Sequence, residues 1–378
     1  MTLIHSAQLV ADGSTETDAW VRFAGDRIAA RGMGSSWRAE QDEDVVDADG
    51  GILAPGFVDL HCHGGGGGAF DGDPAAIRDA LATHRAHGTT RSVLSLVTAR
   101  IPDLARQVGA IADVVDSDPL VLGSHLEGPF LDHAHRGAHD PTLLTDPQPR
   151  DVDALVEAGR GSVVQVTIAP ERPGGLDAVD RFVAAGVRVA VGHTAASYDE
   201  ALAAFDRGAS LVTHAFNAVD GIHHRAPGPV GAALRRPHVT IEVINDGVHV
   251  HPAVVKMLFD AAPGRVALIT DAMSAAGKAD GRYDLGGLAV TVTEGVARLL
   301  DGGAIAGSTL LLDEALRQAV DACGLPLVDA VDALTRIPAR AIGRDDLGSL
   351  SVGSAADAVL MSSALRVRRV WGAGREIG

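Results

Sequence analysis

Histidine and acidic residues stand at the ends of short apolar runs in this 378-residue chain, where their side chains could share a metal ion. The segment FVDLHCHGGGGGAF contains His61 and His63, which in a strand would project from one face while Cys62 projects from the other. Two neutral imidazoles on one face suit a divalent metal. The five glycines that follow would let the backbone pass close to that metal and to a substrate.

Four more potential ligands follow other apolar runs, in the segments SHLEGPF, AVGHTAA, LVTHAFNA and LITDAMS: Glu127, His193, His214 and Asp271. A buried acidic side chain without a partner is energetically costly, so several such groups meeting at one place are best explained by a cation. The alternative is that each of these residues is satisfied by its own separate hydrogen bonds.

The element that must bring these residues together is a sheet of parallel strands. From Pro55 to about Ile342, apolar runs alternate with helix-like segments, which is typical of a parallel sheet covered by helices. Eight strands are predicted, at 57–60, 91–96, 120–125, 163–168, 187–191, 210–213, 239–244 and 266–270. We therefore expect an α/β fold with a (β/α)8 TIM-type barrel, whose site lies at the C-terminal strand ends, rather than an open doubly wound sheet.

The two ends of the chain have a different pattern, with short β-like pieces separated by turns. We expect residues 1–53 and 345–378 to form one small β-sandwich domain together. Residues 54–344 would then form the metal-dependent (β/α)8 barrel catalytic domain.

The composition limits the classes of partner. With 32 basic and 49 acidic residues the net charge is −17, which disfavours nucleic acid and anionic membranes. No apolar run is long enough for a membrane helix, and MTLIHSAQLVADG does not resemble a secretory signal. Two cysteines make a disulfide framework improbable on composition, so we expect a cytoplasmic protein.

The order of motifs resembles that of the N-acetylglucosamine-6-phosphate deacetylases of the amidohydrolase superfamily. The matching segments are PGFVDLHCHG, HLEGPF, GAH, GHTAA, THAFNAV, HHRAPG, DGVHV, TDAM and IAGS. The resemblance implies that Glu127, His193 and His214 are the main metal ligands. It further implies that His61 and His63 can hold a second metal, and that Asp271, beside the metal, is the catalytic carboxylate.

The resemblance also implies a sugar-phosphate site. His249 matches a residue that contacts the acetyl group, and the other matching or adjoining positions are Ala138, His139, Asn217, Ala218, His224, Arg225, Asp246, Ile305, Ala306 and Gly307. The expected cofactor is one or two divalent ions, with zinc as first choice and iron, cobalt or manganese as alternatives. A homodimer is expected, in which the phosphate pocket can draw on the neighbouring chain.

The implied reaction is hydrolysis of the acetamide of N-acetylglucosamine 6-phosphate to glucosamine 6-phosphate and acetate, in amino-sugar catabolism and cell-wall sugar recycling. A related activity on N-acetylgalactosamine 6-phosphate or another N-acyl amine stays open, because the sequence does not reveal the preferred sugar epimer. A third hypothesis is a catalytically silent sugar-phosphate sensor, which the complete ligand set with Asp271 disfavours.

Overall fold

The computed structural model describes residues 1–378. Its strands, in chain order, are β1 (Thr2–Ala11), β2 (Ser14–Ala24), β3 (Arg27–Met33), β4 (Asp44–Asp47), β5 (Ile52–Pro55), β6 (Phe57–Cys62), β7 (Gly64–Gly65), β8 (Gly68–Ala69), β9 (Thr89–Leu96), β10 (Val121–Glu127), β11 (Val163–Ile168), β12 (Arg188–Val191), β13 (Leu211–Val212), β14 (Thr240–Ile244), β15 (Val266–Ile269), β16 (Gly281–Leu285), β17 (Leu288–Thr293), β18 (Val296–Leu299), β19 (Ala358–Met361), β20 (Val367–Gly372) and β21 (Arg375–Glu376). Its helices are α1 (Pro74–Ala86), α2 (Ile101–Ser117), α3 (Pro149–Gly159), α4 (Gly175–Ala184), α5 (Tyr198–Asp206), α6 (Gly228–Arg235), α7 (Pro252–Ala261), α8 (Leu312–Asp321), α9 (Leu327–Leu334) and α10 (Arg336–Ala341), with a 3₁₀ helix at Pro141–Leu143.

The predicted barrel is confirmed. Strands β6 and β9 to β15 pair in chain order, and every pair is parallel. The backbone N–H of Asp271 donates to the carbonyl of His61 at 2.8 Å, and that of His63 donates to the carbonyl of Ala272 at 2.8 Å. These bonds join the last barrel strand to the first, so the barrel closes where the HCH and TDA segments meet.

Helices α1 to α8 follow the barrel strands and cover them from outside. Helix α5 illustrates how local sequence sets their starts: Ser197 and Glu200 form a capping box, which satisfies free N–H groups at the helix start. The N-cap residue of α5, Ser197, lies four residues after His193. The longest helix, α2, has 17 residues, and none of the helices combines the length and hydropathy needed to cross a bilayer.

The two termini share one sheet, ordered β21-β20-β19-β5-β1-β2-β3, with β4 paired to β1. Strand β1 pairs with β4 along its first half and with β5 along its second half, so the sheet branches there. The residues of this sheet contribute to a separate hydrophobic core of 16 buried residues. Strand β5 leads within two residues into β6, which links this sheet directly to the strand that carries His61.

A three-stranded antiparallel sheet, β16 to β18, lies between β15 and α8 and was missed by the sequence analysis. Its two hairpins turn at Gly286–Gly287 and Glu294–Gly295, and all four residues have positive φ. Two-residue turns of this kind suit antiparallel hairpins, so the GG and EG pairs beside alternating apolar residues were the available signal. The sheet matters because it contributes to the wall of the cavity described below.

Candidate metal and catalytic site

Six residues predicted to bind metal converge at the C-terminal mouth of the barrel. The Nε2 atoms of His193 and His214 lie 3.1 and 3.0 Å from Oε1 of Glu127, and 3.1 Å from each other. The Nε2 atoms of His61 and His63 are 3.0 Å apart, and Oε2 of Glu127 lies 3.0 Å from that of His63. Oδ1 of Asp271 lies 3.4 Å from both of these nitrogens. Glu127 therefore stands between two sets of donor atoms.

These contacts fit a divalent cation better than a hydrogen-bond network. A neutral imidazole has only one N–H, so in each Nε2 pair that faces at about 3 Å at most one ring can donate to the other, and the second ring presents a lone pair that a cation would bind. Ligands bound at roughly 2.0–2.2 Å to one tetrahedral ion lie about 3.3 Å apart, which matches the spacing here. The donor set of imidazole nitrogens and carboxylate oxygens also suits such an ion.

The charge balance of the site points the same way. Burial raises the pKa of Glu127 and Asp271, but nearby imidazoles outweigh it, so the pKa of Glu127 is well below its usual range and that of Asp271 is about 2. Burial lowers the pKa of His63, but hydrogen bonds with the two carboxylates raise it to about 9. Two buried ionised carboxylates thus draw positive charge to this point.

Three of these residues have a backbone conformation that is rare for residues with a side chain. The φ angles of His193, His214 and Asp271 are 47°, 26° and 48°. Each residue lies two positions beyond the end of its strand, and the left-handed conformation there costs roughly 1–3 kcal/mol. The turn directs each side chain into the barrel mouth, which a continued strand would not do.

Two residues next to the predicted ligands, His125 and Cys62, have structural roles. His125 is fully buried one layer deeper, with Nδ1 at 2.9 Å from Oγ of Ser95 and Nε2 at 2.8 Å from Oγ1 of Thr167. Both of its ring nitrogens are occupied by hydroxyl groups, so it has none to offer a metal. Cys62 is buried in the barrel wall, where Sγ lies 3.2 Å from Nε2 of His84.

The six converging residues, His61, His63, Glu127, His193, His214 and Asp271, form the metal-type cluster. A cavity of about 250 Å³ opens onto it. Its lining includes seven positions predicted for the sugar phosphate: Ala138, His139, Asn217, Ala218, His249, Ile305 and Gly307. Sequence reasoning missed Val97, Gly137 and Leu285, which also line the cavity. Leu285 comes from β16, so it could be found only by recognising the GG hairpin.

His249 lines the cavity, and a hydrogen bond with Asp246 on the side away from the cavity holds its ring in place. Its Nδ1–H donates to Oδ2 of Asp246 at 2.6 Å, which leaves Nε2 for a ligand. Burial lowers the pKa of His249, but the hydrogen bond and charge of Asp246, with the charge of Asp271, raise it above 6.5. Asp246, predicted as a substrate-binding residue, does not line the cavity and contacts His249 instead.

His139 is held as a donor. The N–H of Thr98 approaches its Nδ1 at 3.4 Å, so the ring proton belongs on Nε2, which lies 3.4 Å from Oε2 of Glu127. Burial lowers the pKa of His139 to about 4, so the ring is neutral near pH 7. In this tautomer Nε2–H can donate to a carboxylate or to a substrate oxygen.

Three other predicted substrate residues lie outside the cavity lining. His224 and Arg225 are exposed, and Arg225 borders a separate surface cavity with Tyr198 and Asp220. Ala306 is fully buried in the core beneath the β16–β18 sheet. Within one chain, the cationic side chain predicted for phosphate therefore lies away from the metal-type cluster.

The glycine run serves packing rather than the expected close approach to metal. None of Gly64 to Gly68 lines the cavity. A Cβ atom on Gly68 would lie 2.1 Å from the carbonyl oxygen of Ala76 in α1. The run forms the small β7–β8 hairpin, and its lack of side chains lets that hairpin pack directly on α1.

A closed (β/α)8 barrel with a buried cluster of histidine and acidic residues at its mouth is the architecture of the amidohydrolases. The chain belongs to the Amidohydrolase family, whose model matches residues 52–377. This superfamily is metal-dependent, and the buried cluster provides suitable ligands.

Within this family the chain is similar to deacetylases of amino-sugar phosphates. It is 43% identical to an aspartate-to-alanine variant of N-acetyl-D-glucosamine-6-phosphate deacetylase from Mycobacterium smegmatis, solved in complex with N-acetyl-D-glucosamine-6-phosphate, with a TM-score of 0.94 over 100% of this chain and 99% of that one. It is 39% identical to N-acetylgalactosamine-6-phosphate deacetylase of Escherichia coli O157:H7, over 86% of this chain and 88% of the relative. It is 34% identical to N-acetylglucosamine-6-phosphate deacetylase of Vibrio furnissii, over 90% and 86%.

Proposed function

We propose that this protein hydrolyses the acetamide of N-acetylglucosamine 6-phosphate to glucosamine 6-phosphate and acetate, in amino-sugar catabolism and cell-wall sugar recycling. The observation that carries the proposal is one cavity in which Asp271 and His249 face the Glu127–His193–His214 cluster. The 43% identity to a deacetylase solved with this sugar phosphate supports the choice of substrate.

The residues of the cavity divide the chemistry between them. A divalent cation held by Glu127, His193 and His214 supplies Lewis acidity, which polarises a carbonyl and lowers the pKa of water. Asp271 is ionised, so it accepts a proton from the attacking water and returns it to the departing amine. Protonated His249, whose pKa is raised above 6.5, donates from Nε2 to the oxygen that becomes negative while its Nδ1–H donates to Asp246.

We propose zinc as the cation, with iron, cobalt or manganese as alternatives, since this ligand set accepts all four. Glu127, His193 and His214 would hold the principal ion. His61 and His63 would hold a second ion, for which Glu127 and Asp271 offer further carboxylate oxygens.

We propose a homodimer in the cytoplasm. Arg225 is exposed and away from the cavity of its own chain, so the phosphate contact it offers would reach the cavity of a neighbouring copy. A guanidinium group suits phosphate because it donates two parallel hydrogen bonds. A local positive charge is needed, since a chain with a net charge of −17 repels an anionic substrate at long range.

Deacetylation of N-acetylgalactosamine 6-phosphate is the second candidate, favoured by the 39% identity to the enzyme from Escherichia coli O157:H7. The two substrates differ only in the configuration at C4 of the sugar. The test is acetate release by zinc-loaded protein from both sugar phosphates and from unphosphorylated N-acetylglucosamine. A higher kcat/KM on the gluco phosphate is expected; a higher value on the galacto phosphate would favour the second candidate. Absence of acetate from all three would support a sugar-phosphate sensor.

A further inference from the structure

Glu242, on β14 inside the barrel, is a carboxylate with an unused oxygen. The residue is completely buried, and its Oε1 accepts a hydrogen bond from Nε2 of Gln165 at 2.9 Å. Its Oε2 has no hydrogen-bond partner. The polar atom opposite is Nδ1 of His61, 3.7 Å away and also without a partner. Two buried polar atoms thus face each other just beyond hydrogen-bond distance.

A buried carboxylate oxygen without a hydrogen bond costs folding free energy, so we expect Oε2 of Glu242 to have a partner in the functional protein. His61 directs Nε2 towards His63 and Glu127, and directs Nδ1 towards Glu242. An imidazole that binds a metal through Nε2 must carry its proton on Nδ1, and that proton needs an acceptor. Glu242 supplies a charged acceptor on the side of the ring opposite the cavity.

In the principal site, one predicted metal ligand already has a hydrogen-bond acceptor for its Nδ1–H. His193 directs Nε2 towards Glu127, and its Nδ1–H donates to the backbone carbonyl of His135 at 2.9 Å. The acceptor behind His193 is a neutral carbonyl, whereas the one behind His61 is a carboxylate. A carboxylate behind a ligating histidine increases the basicity of that ligand, which would strengthen the weaker of the two sites.

We propose that Glu242 is a positioning residue for the second cation: it accepts the Nδ1–H of His61 and so holds that ring with Nε2 free to bind the ion shared with His63. The inference rests on the proposed metal centre. A shift of about 0.5–1.0 Å closes the contact, because 3.7 Å must shorten to the usual 2.7–3.2 Å. Glu242 acts through His61 and has no contact with substrate.

The test compares zinc binding by wild-type protein, Glu242→Val and Glu242→Gln after removal of metal. Valine fits a β-strand and removes the acceptor, whereas glutamine keeps an acceptor oxygen without its charge. We expect two ions in the wild type, a 10- to 100-fold weaker second ion in Glu242→Val, an unchanged first ion, and an intermediate result for Glu242→Gln. Ser124→Ala is the matched control, because Ser124 is also fully buried with an unpartnered hydroxyl, and it should keep both ions.

A double-mutant cycle separates positioning from general damage to the fold. In a His61→Asn background, Glu242→Val should change zinc affinity no further, since the ring it positions is absent. Metal-free Glu242→Val should unfold at a lower temperature than the metal-free wild type, because Nε2 of Gln165 loses its acceptor, and this loss should be the same in the His61→Asn background. The inference would be overturned if Glu242→Val bound both ions with wild-type affinity. It would also be overturned if the wild type bound only one ion. Acetate release by the wild type, measured in parallel, tests the proposed function separately.

Discussion

The Nε2 atoms of His193 and His214 lie 3.1 Å apart and point at each other, and both lie about as close to one oxygen of Glu127. Their strands, β12 and β13, are neighbours, and each residue stands just beyond its strand in a left-handed backbone conformation. A cation between these three atoms would bind the two nitrogen lone pairs and the carboxylate oxygen together.

Replacing both His61 and His63 with asparagine should remove at most one metal equivalent. The Glu127–His193–His214 site should survive, because these ligands come from three other strands. Elemental analysis of protein purified with excess zinc measures the loss directly. If all metal were lost, the HCH segment would hold the principal ion, and the order of the two sites would be reversed.

Asp271→Asn should lower kcat by about 10²- to 10⁴-fold, because an amide cannot take up and return a proton. The principal ion should remain, since Glu127, His193 and His214 are intact. Acetate release and metal content are measured on the same preparation. Near wild-type kcat with full metal content would exclude Asp271 as the proton carrier.

Arg225→Met should lower kcat/KM on the phosphosugar by roughly 10²- to 10³-fold, while the poor rate on unphosphorylated N-acetylglucosamine stays nearly constant. Methionine keeps bulk but removes the charge and the planar donors. The matched control is Arg298→Met: Arg298 is also exposed and acts electrostatically on His249 from β18 of the same chain. A parallel fall on both sugars in Arg225→Met, or a larger phosphate-specific loss in Arg298→Met, would contradict the assignment.

The pair of His249 and Asp246 should make stability depend on pH. In the folded protein the pKa of His249 is raised above 6.5 and that of Asp246 is lowered below 3.8. The histidine contribution is therefore complete below pH 6.5 and is lost as pH rises through the folded pKa. The aspartate contribution is present above pH 3.8 and is lost as pH falls through its folded pKa.

The difference in unfolding free energy between wild type and Asp246→Asn should accordingly be largest between about pH 4 and 6.5 and should shrink at higher pH. Denaturant unfolding in a series of buffers, with zinc present throughout, gives this difference. A difference that stays constant up to pH 9 would mean that the pair contributes packing rather than charge.

The sequence predicted the scaffold well because buried parallel strands are continuous apolar runs. Strand β11 was placed residue for residue at Val163–Ile168, and the other barrel strands end within two residues of their predicted positions. The convergence of the six metal-type residues followed from the same pattern, since the C-terminal ends of barrel strands meet at one mouth.

What the sequence could not provide depends on contacts between distant segments. The glycine run packs on α1, a contact that a strand pattern does not encode. Arg225 lies in a motif that matches a phosphate site, but its loop holds it outside the cavity of its own chain. Glu242 stands in the apolar strand TIEVI, and only the folded barrel brings it opposite His61. The division into domains at 1–53 plus 345–378 and 54–344 stays a prediction.

The most direct test of the central claim is anomalous X-ray diffraction at the zinc absorption edge from crystals of zinc-loaded protein. The account predicts a strong peak about 2.0–2.2 Å from Glu127, His193 and His214, with any second peak beside His61 and His63. A separate cluster of three buried donors consists of Asp59, Cys62 and His84. A strongest peak at that cluster, or no peak at the barrel mouth, would contradict the account.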